Sequence, residues 1–464
     1  MKSAPAHAHE KPHHPHWPLA ALLFAGVFSM AWAGPHGPDA WIRVACGRTI
    51  LATGALPHTD PFSYGAARAP WTPDSWLTDV LFAKADALGG PGLVRALAAA
   101  AAAAGFALLL PISHGNPLAA AGLLAVAAGS AWTGFLEAPA AFDFLFFAVF
   151  LRLLRPRHRF RLADGAAAAG LTALWANMHG ATASLALALA FLKAFKASLR
   201  SATREALGYW AMFAACVIAF SWNPLGYGVF EHLFADAASG ATRWQTALVS
   251  PAGALILLGL GACALTLQQE FVTTLASATV MALSLARPGL RPLAAMAACP
   301  VLALALGHAV KPRADTPKRV LRWGVPAALL ILGIHYAVVV RPLADARGYG
   351  APALEGAARF LDAQGVRGQM FNDPALGAEL IGLTGRPVFV DERPGLYPDA
   401  FLAEAEAWPR TFPALDAVYR FDYAVVPRRR EGEPARALDA DPGWREAYAD
   451  DFAQVYLKRS GGGR

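Results

Sequence analysis

The sequence predicts an α-helical polytopic membrane protein of about eleven transmembrane helices, ending in a small C-terminal α/β domain. Three observations predict it. Of 464 residues 56% are hydrophobic and only 16% charged, where soluble domains carry about 25% charged residues. Apolar runs long enough to cross a bilayer recur over the first 340 residues and then stop. Lys and Arg gather in alternate connections between those runs, as cytoplasmic loops require.

The candidate spans lie near 17–34, 91–110, 117–133, 140–154, 164–178, 180–195, 206–222, 249–267, 271–286, 293–310 and 320–340. With a cytoplasmic N-terminus, the basic connections "RLLRPRHRFR", "KAFKASLRSATR" and "KPRADTPKRVLR" all fall inside. The net charge of +7 is thereby explained by loops facing anionic lipid, and no nucleic-acid partner is called for. Residues 1–16 hold His7, His9, His13, His14 and His16 among prolines and read as a disordered cytoplasmic tail. The first apolar run reads as a retained anchor, because no small-residue cleavage site follows it. Cys46, Cys216, Cys263 and Cys299 are too scattered for a disulfide framework or a zinc site.

Residues 17–340 thus form the expected transmembrane domain, and 341–464 an extracytoplasmic one. In the latter, "MFND", "RPVFVDE" and "DYAVVP" read as strands between helical patterns, and the final "GWREAYADDFAQVYLKR" as a β-hairpin. The outer connections collect the Trp, Asn, His, Asp and Pro residues. Among them the first, 35–90, is too elaborate for a linker. It contains two candidate interfacial helices, "DAWIRVACGRTILATG" and "DSWLTDVLFAKADALG", the second with Asp79 and Asp86 on one face.

Within that loop Asp39 and Trp41 are followed by "GALPHTDPFSY" and "PWTPDSWL"; "WANMHG", "NPLGY", "FNDPALGAELI" and "VFVDER" come later. This set resembles a group of bacterial multi-pass proteins within the GT-C superfamily of integral-membrane glycosyltransferases, over most of the chain. One position departs from the group: Glu137 stands where relatives carry an Arg-Pro before the fourth span.

The resemblance implies transfer of a sugar from a polyprenyl-phosphate carrier to a cell-envelope glycan, lipid or protein acceptor, at the outer face of a bacterial inner membrane. It implies Asp39 as the base that takes the acceptor proton, and so sets that role level with the helix cap that the residues alone favour. Asp60 shares the acid–base work or serves as a turn former before Pro61. Asp74 reads as the cap of the second interfacial helix. Arg287 and Arg291, in "ARPGLRP", are candidates for the donor phosphate, because a guanidinium fork grips two phosphate oxygens; snorkelling to lipid headgroups is their other reading. Trp41, His58, Trp71, Asn177, His179 and Asn223 are candidates for positioning the substrate or acceptor, Asn177 and His179 by binding acceptor hydroxyls or the departing phosphate; a polar helix break in "WANMHG" and an aromatic belt with a Pro turn in "SWNPLGY" are the other readings. Trp175 reads as an interfacial aromatic. Asp391 and Glu392 read as solvated acids at a strand end. No soluble-nucleotide motif is present, no cofactor is required, and a divalent metal is possible without being indicated. The rival readings are a lipid or solute transporter or flippase, and a non-catalytic GT-C-like scaffold.

Overall fold

The computed structural model describes residues 17–34, 37, 39–65, 69–113, 117–132, 135–155, 160–199, 203–230, 250–309, 354–393, 395–429 and 436–459. Each of the ten candidate spans up to residue 310 corresponds to a helix. In order they are α1 (Trp17–Trp32), the second half of α3 (Trp76–Leu109), α4 (Pro117–Ala131), α5 (Ala140–Leu153), α6 (Leu162–Met178), α7 (Ser184–Leu199), α8 (Thr203–Phe220), α9 (Pro251–Thr266), α10 (Phe271–Ala286) and α11 (Arg291–Ala309). The eleventh candidate, 320–340, the basic connection before it, the tail 1–16 and the 340/341 boundary lie outside the described residues. Among the described residues, two helices, Trp76–Ile112 and Pro288–Gly307, are long and apolar enough to cross a bilayer; several others are apolar but shorter. Small residues and phenylalanines fill the bundle: Phe106, Phe147, Phe150 and a run of buried alanines form one continuous core.

Both helices expected in the first long connection are present. The first is α2 (Asp39–Thr53), and the second is the opening of α3, which a kink at Gly89 and Gly90 separates from its apolar half. Gly90 takes φ +67°, a left-handed conformation that a side chain disfavours. The two helices are zipped together by ion pairs, Arg43 to Asp79 at 3.4 Å and Arg48 to Asp86. Their close approach depends on Gly47, where a Cβ would stand 2.0 Å from the Asp79 carbonyl oxygen. Backbone cannot yield as a flexible side chain does, so Gly47→Ala is expected to cost about 3 kcal/mol or more by overpacking. A drop in melting temperature of the purified protein is the check; an unchanged value would refute the close packing.

The C-terminal sheet has the order β1-β2-β4-β3. Here β1 (Met370–Asn372) runs parallel to β2 (Tyr423–Pro427), and β3 (Trp444–Ala449) and β4 (Ala453–Lys458) form the expected antiparallel hairpin. Before the sheet comes α12 (Glu355–Ala363). The crossover from β1 to β2 contains α13 (Gly377–Thr384), α14 (Asp399–Glu406) and α15 (Trp408–Tyr419), with α16 (Ala437–Ala440) after β2. A cluster of rings fills the crossover side, with Phe371 5.0 Å from Phe412 and 5.1 Å from Phe421.

"RPVFVDE" is not a strand of this sheet, contrary to expectation. Its backbone groups are taken elsewhere: buried Asn372 accepts from Phe389 N at 2.8 Å and donates to Val390 O at 2.7 Å. The first outer loop takes more of them, with Val388 N donating to Phe62 O and Tyr64 N to Val388 O. Residues of that loop and of α2 therefore share a core with the sheet, where Ile42, Cys46, Ile50 and Phe62 meet Leu361, Met370, Leu380 and Val425.

Candidate functional site

A cavity of about 540 Å³ opens where α2, the loop between α2 and α3, and the C-terminal segment around Arg393 converge. Its floor is Ile42, Arg43 and Cys46 of α2 with Asp79 of α3. The loop supplies His58, Trp71, Thr72 and Asp74, the α6–α7 turn His179 and Ala181, and the end of α10 Arg287. Arg393 and Gly395 enter from the C-terminal domain.

The loop reaches the cavity as a small hairpin, with Asp60 N donating to Ala69 O and Trp71 N to His58 O. Its Asp60 carboxylate is buried, accepts from Phe62 N, Ser63 N and Ser63 Oγ, and lies 2.7 Å from Arg393 Nη1. Asp391 holds the same guanidinium through Nε and Nη2 at 2.7–3.0 Å. The Arg393 guanidinium also lies over the Trp71 and Phe62 rings, 4.7 and 5.6 Å from their centroids. Burial works against this cation, but hydrogen bonds and charge from Asp391 and then Asp60 outweigh it and raise the Arg393 pKa. Asp391 is thus a buried ion-pair partner, not the solvated acid expected, while Glu392 is exposed.

Across the cavity Arg43 faces two carboxylates, Asp79 at 3.4 Å and Asp74 at 3.9 Å. Asp74 does not cap α3. That place belongs to Ser75, whose hydroxyl donates to Asp74 at 2.9 Å. Asp74 is thereby held at the cavity wall. Asp39 is the first residue of α2, one helical turn before Arg43 in the chain.

His179 is the C-cap residue of α6, and its Nδ1 lies 2.7 Å from Asp143 Oδ2 in the first turn of α5. The other Asp143 oxygen accepts from Trp175 Nε1 at 2.8 Å. Trp175 is wholly buried against Phe146, a correction to its expected interfacial place. Burial alone would lower the His179 pKa; the Asp143 carboxylate outweighs it by charge and hydrogen bond, and Asp74 adds to the rise above the ordinary value.

Of the residues singled out from sequence, His58, Trp71, Asp74, Asp79, His179 and Arg287 line the cavity, and Asp60 acts on it through Arg393. The Asp39 side chain lies outside the described part of the structure, and Trp41, Asn177, Asn223 and Arg291 are placed elsewhere. Trp41 packs against α13, where a Cβ on Gly382 would meet its ring at 2.7 Å. Asn177 accepts from Trp76 Nε1 and donates to Ala173 O and Trp222 O. Asn223 closes its own turn onto Phe220 O, Gly226 O and Leu225 N. Arg291 begins α11 and does not line the cavity. Glu137 accepts from Gly37 N at 2.8 Å and pairs with buried Arg95 at 3.5 Å, so it braces the start of the outer loop from the bundle side.

Sequence reasoning missed Arg43 and Arg393. Arg43 carried a readable signal in its i+4 spacing from Asp39; Arg393 had only its neighbour Asp391, since Asp60, Phe62 and Trp71 come from the distant first loop. Among the described residues no group of three or more His, Cys, Asp or Glu is arranged to hold a metal ion.

With that geometry in view, solved structures with the same architecture can be compared. ArnT from Cupriavidus metallidurans bound to undecaprenyl phosphate matches at a TM-score of 0.52 and 14% identity, over 97% of this chain and 98% of that one. The chain has a GT-C-like fold. The Archaeoglobus fulgidus oligosaccharyltransferase, in its apo form and tethered to an acceptor peptide, matches at 0.51 and 12% identity. Those matches cover 89% of this chain and 69% of theirs. No protein-family model and no curated protein matches the sequence. At such identities the likeness concerns the GT-C-like fold alone.

Proposed function

We propose that the protein is a membrane glycosyltransferase that moves a sugar from a polyprenyl-phosphate carrier to a cell-envelope acceptor, with the 540 Å³ cavity as its active site. The observation that carries this reading is the convergence in one GT-C-like cavity of carboxylates, Asp74 and Asp79, with guanidinium groups, Arg43, Arg287 and Arg393. ArnT was crystallised with undecaprenyl phosphate and the oligosaccharyltransferase with an acceptor peptide, and both complexes fit a lipid-linked donor and a separate acceptor.

In this reading the apolar helices span the inner membrane and the cavity opens on its outer face. Asp39, at the start of α2, takes the proton of the acceptor hydroxyl as that oxygen attacks the anomeric carbon. Arg287 grips the phosphate, on which the electron pair of the broken bond settles. Asp60 acts as a positioning residue, because its carboxylate is committed to Arg393 and to the backbone of its own turn. No metal is needed for this sequence of bond changes, since guanidinium groups meet the departing charge.

The test is transfer from decaprenyl-phosphate-linked glucose, mannose and arabinose to an envelope extract by the purified protein in nanodiscs. Transfer by the wild type is expected, with Arg287→Ala raising the donor KM about tenfold or more through loss of a charge-assisted contact. Absence of transfer with every donor would defeat the reading. An unchanged KM in Arg287→Ala would remove that residue from the phosphate site.

A further inference from the structure

His179 and Asp143 form a pair whose two ends are favoured by the helices that carry them. Asp143 lies in the first turn of α5, where the helix N-terminus stabilises a negative charge, and His179 caps the C-terminus of α6, where a positive charge is stabilised. Asp143 is buried and both its oxygens are engaged, by Trp175 Nε1 and by His179 Nδ1. The imidazole therefore has one orientation, with Nδ1 turned to the carboxylate, and Nε2 is left as its ring nitrogen for the cavity it lines. Arg287 lines that same cavity.

We propose that Asp143 holds His179 as an imidazolium whose Nε2–H donates to a phosphate oxygen of the lipid-linked donor, so that His179 and Arg287 grip the leaving group together. The inference rests on the glycosyltransferase reading and deepens it. When the bond from the anomeric carbon to the phosphate oxygen breaks, its electron pair stays on that oxygen, and His179 meets the charge with a hydrogen bond while keeping its own proton. Asp39 receives the proton of the acceptor. Asp143 touches neither substrate and is a positioning residue. The charged groups acting on His179 are Asp143 and Asp74, which favour the imidazolium, and Arg43, which opposes it. His58, Asp79 and Arg393 share the cavity.

The experiment is binding of undecaprenyl phosphate to the full-length protein in nanodiscs, from about pH 5.5 to 8.5, a window around the ordinary histidine value. Wild type, His179→Gln and Asp143→Asn are compared, with thermal unfolding confirming that each is folded. The phosphate's own second ionisation, near pH 6, falls in the same window, so the readout is the ratio of wild-type to variant affinity at each pH. Because the folded His179 value is raised, the imidazolium is present at the acid end and lost as pH rises through that value. The ratio for His179→Gln is expected to be roughly tenfold or more at the acid end and to close toward one at the alkaline end. Asp143→Asn is expected to move the midpoint of that closure to lower pH. If it does not fold, an NMR pH titration of His179 in the wild type supplies the same value, and a value below the ordinary one overturns the inference. Equal binding by His179→Gln at every pH overturns it and leaves the glycosyltransferase reading standing, as does a loss independent of pH. No binding by the wild type at any pH overturns both.

Discussion

Asp39→Asn is expected to lower sugar transfer by about 10²–10⁴-fold, the contribution of a positioned general base, with the folded state kept intact. The substitution separates two roles that the sequence leaves equal. Asn serves at a helix start about as well as Asp, so a capping role survives the change within a few tenths of a kcal/mol. A base does not survive it, because an amide cannot accept the proton. The placement of Asp39 at the first position of α2, a turn before cavity-lining Arg43, is what motivates the expectation. Transfer rates and melting temperature measured on the same preparation decide it. A rate within twofold of wild type would remove Asp39 from the chemistry.

Arg393→Met is expected to destabilise the protein by about 3–5 kcal/mol, since it leaves Asp60 and Asp391 buried side by side without their shared cation. The stacking of the guanidinium on Trp71 is lost as well. The cost arises from uncompensated charge and not from the missing contact alone. A triple variant, Asp60→Asn, Asp391→Asn and Arg393→Met, is therefore expected to recover a large part of it. Denaturant unfolding of the three proteins in the same detergent is the measurement. If Arg393→Met unfolds within about 0.5 kcal/mol of wild type, as surface changes do, the clamp contributes nothing. Loss of transfer in the triple variant despite recovered stability would show that the Asp60–Arg393–Asp391 clamp serves the cavity as well as the fold.

Much of this architecture is legible locally. A run such as "LGLGACAL" is apolar whatever its neighbours, and each candidate span before residue 310 corresponds to a helix because helix hydrogen bonds are internal to the segment. The two helices of the first outer loop follow from the same local logic, and Asp79 and Asp86 share a face because their spacing fixes it. "RPVFVDE" shows where local reading fails. Its β-branched and aromatic residues favour extended backbone, but only Val388 forms a bridge, to Ser63, and a side-chain amide of Asn372 and a loop from the far end of the chain take its hydrogen bonds.

The sequence by itself determined the helical framework, the position of the elaborate loop and the residue types at its tips, because those depend on periodicity and composition over a few turns. It did not determine which of those residues meet. The Tyr64 hydroxyl donates to Met370 O across 306 residues, and around that contact the loop and the C-terminal domain build one core. Only the tertiary structure decided that Asp60 is bound to Arg393, that Asp74 turns to Arg43 and that Asp143 aims His179. The physical reason is that a buried charge is tolerated only with a partner, and the partner is chosen by packing in space, where sequence separation carries no weight.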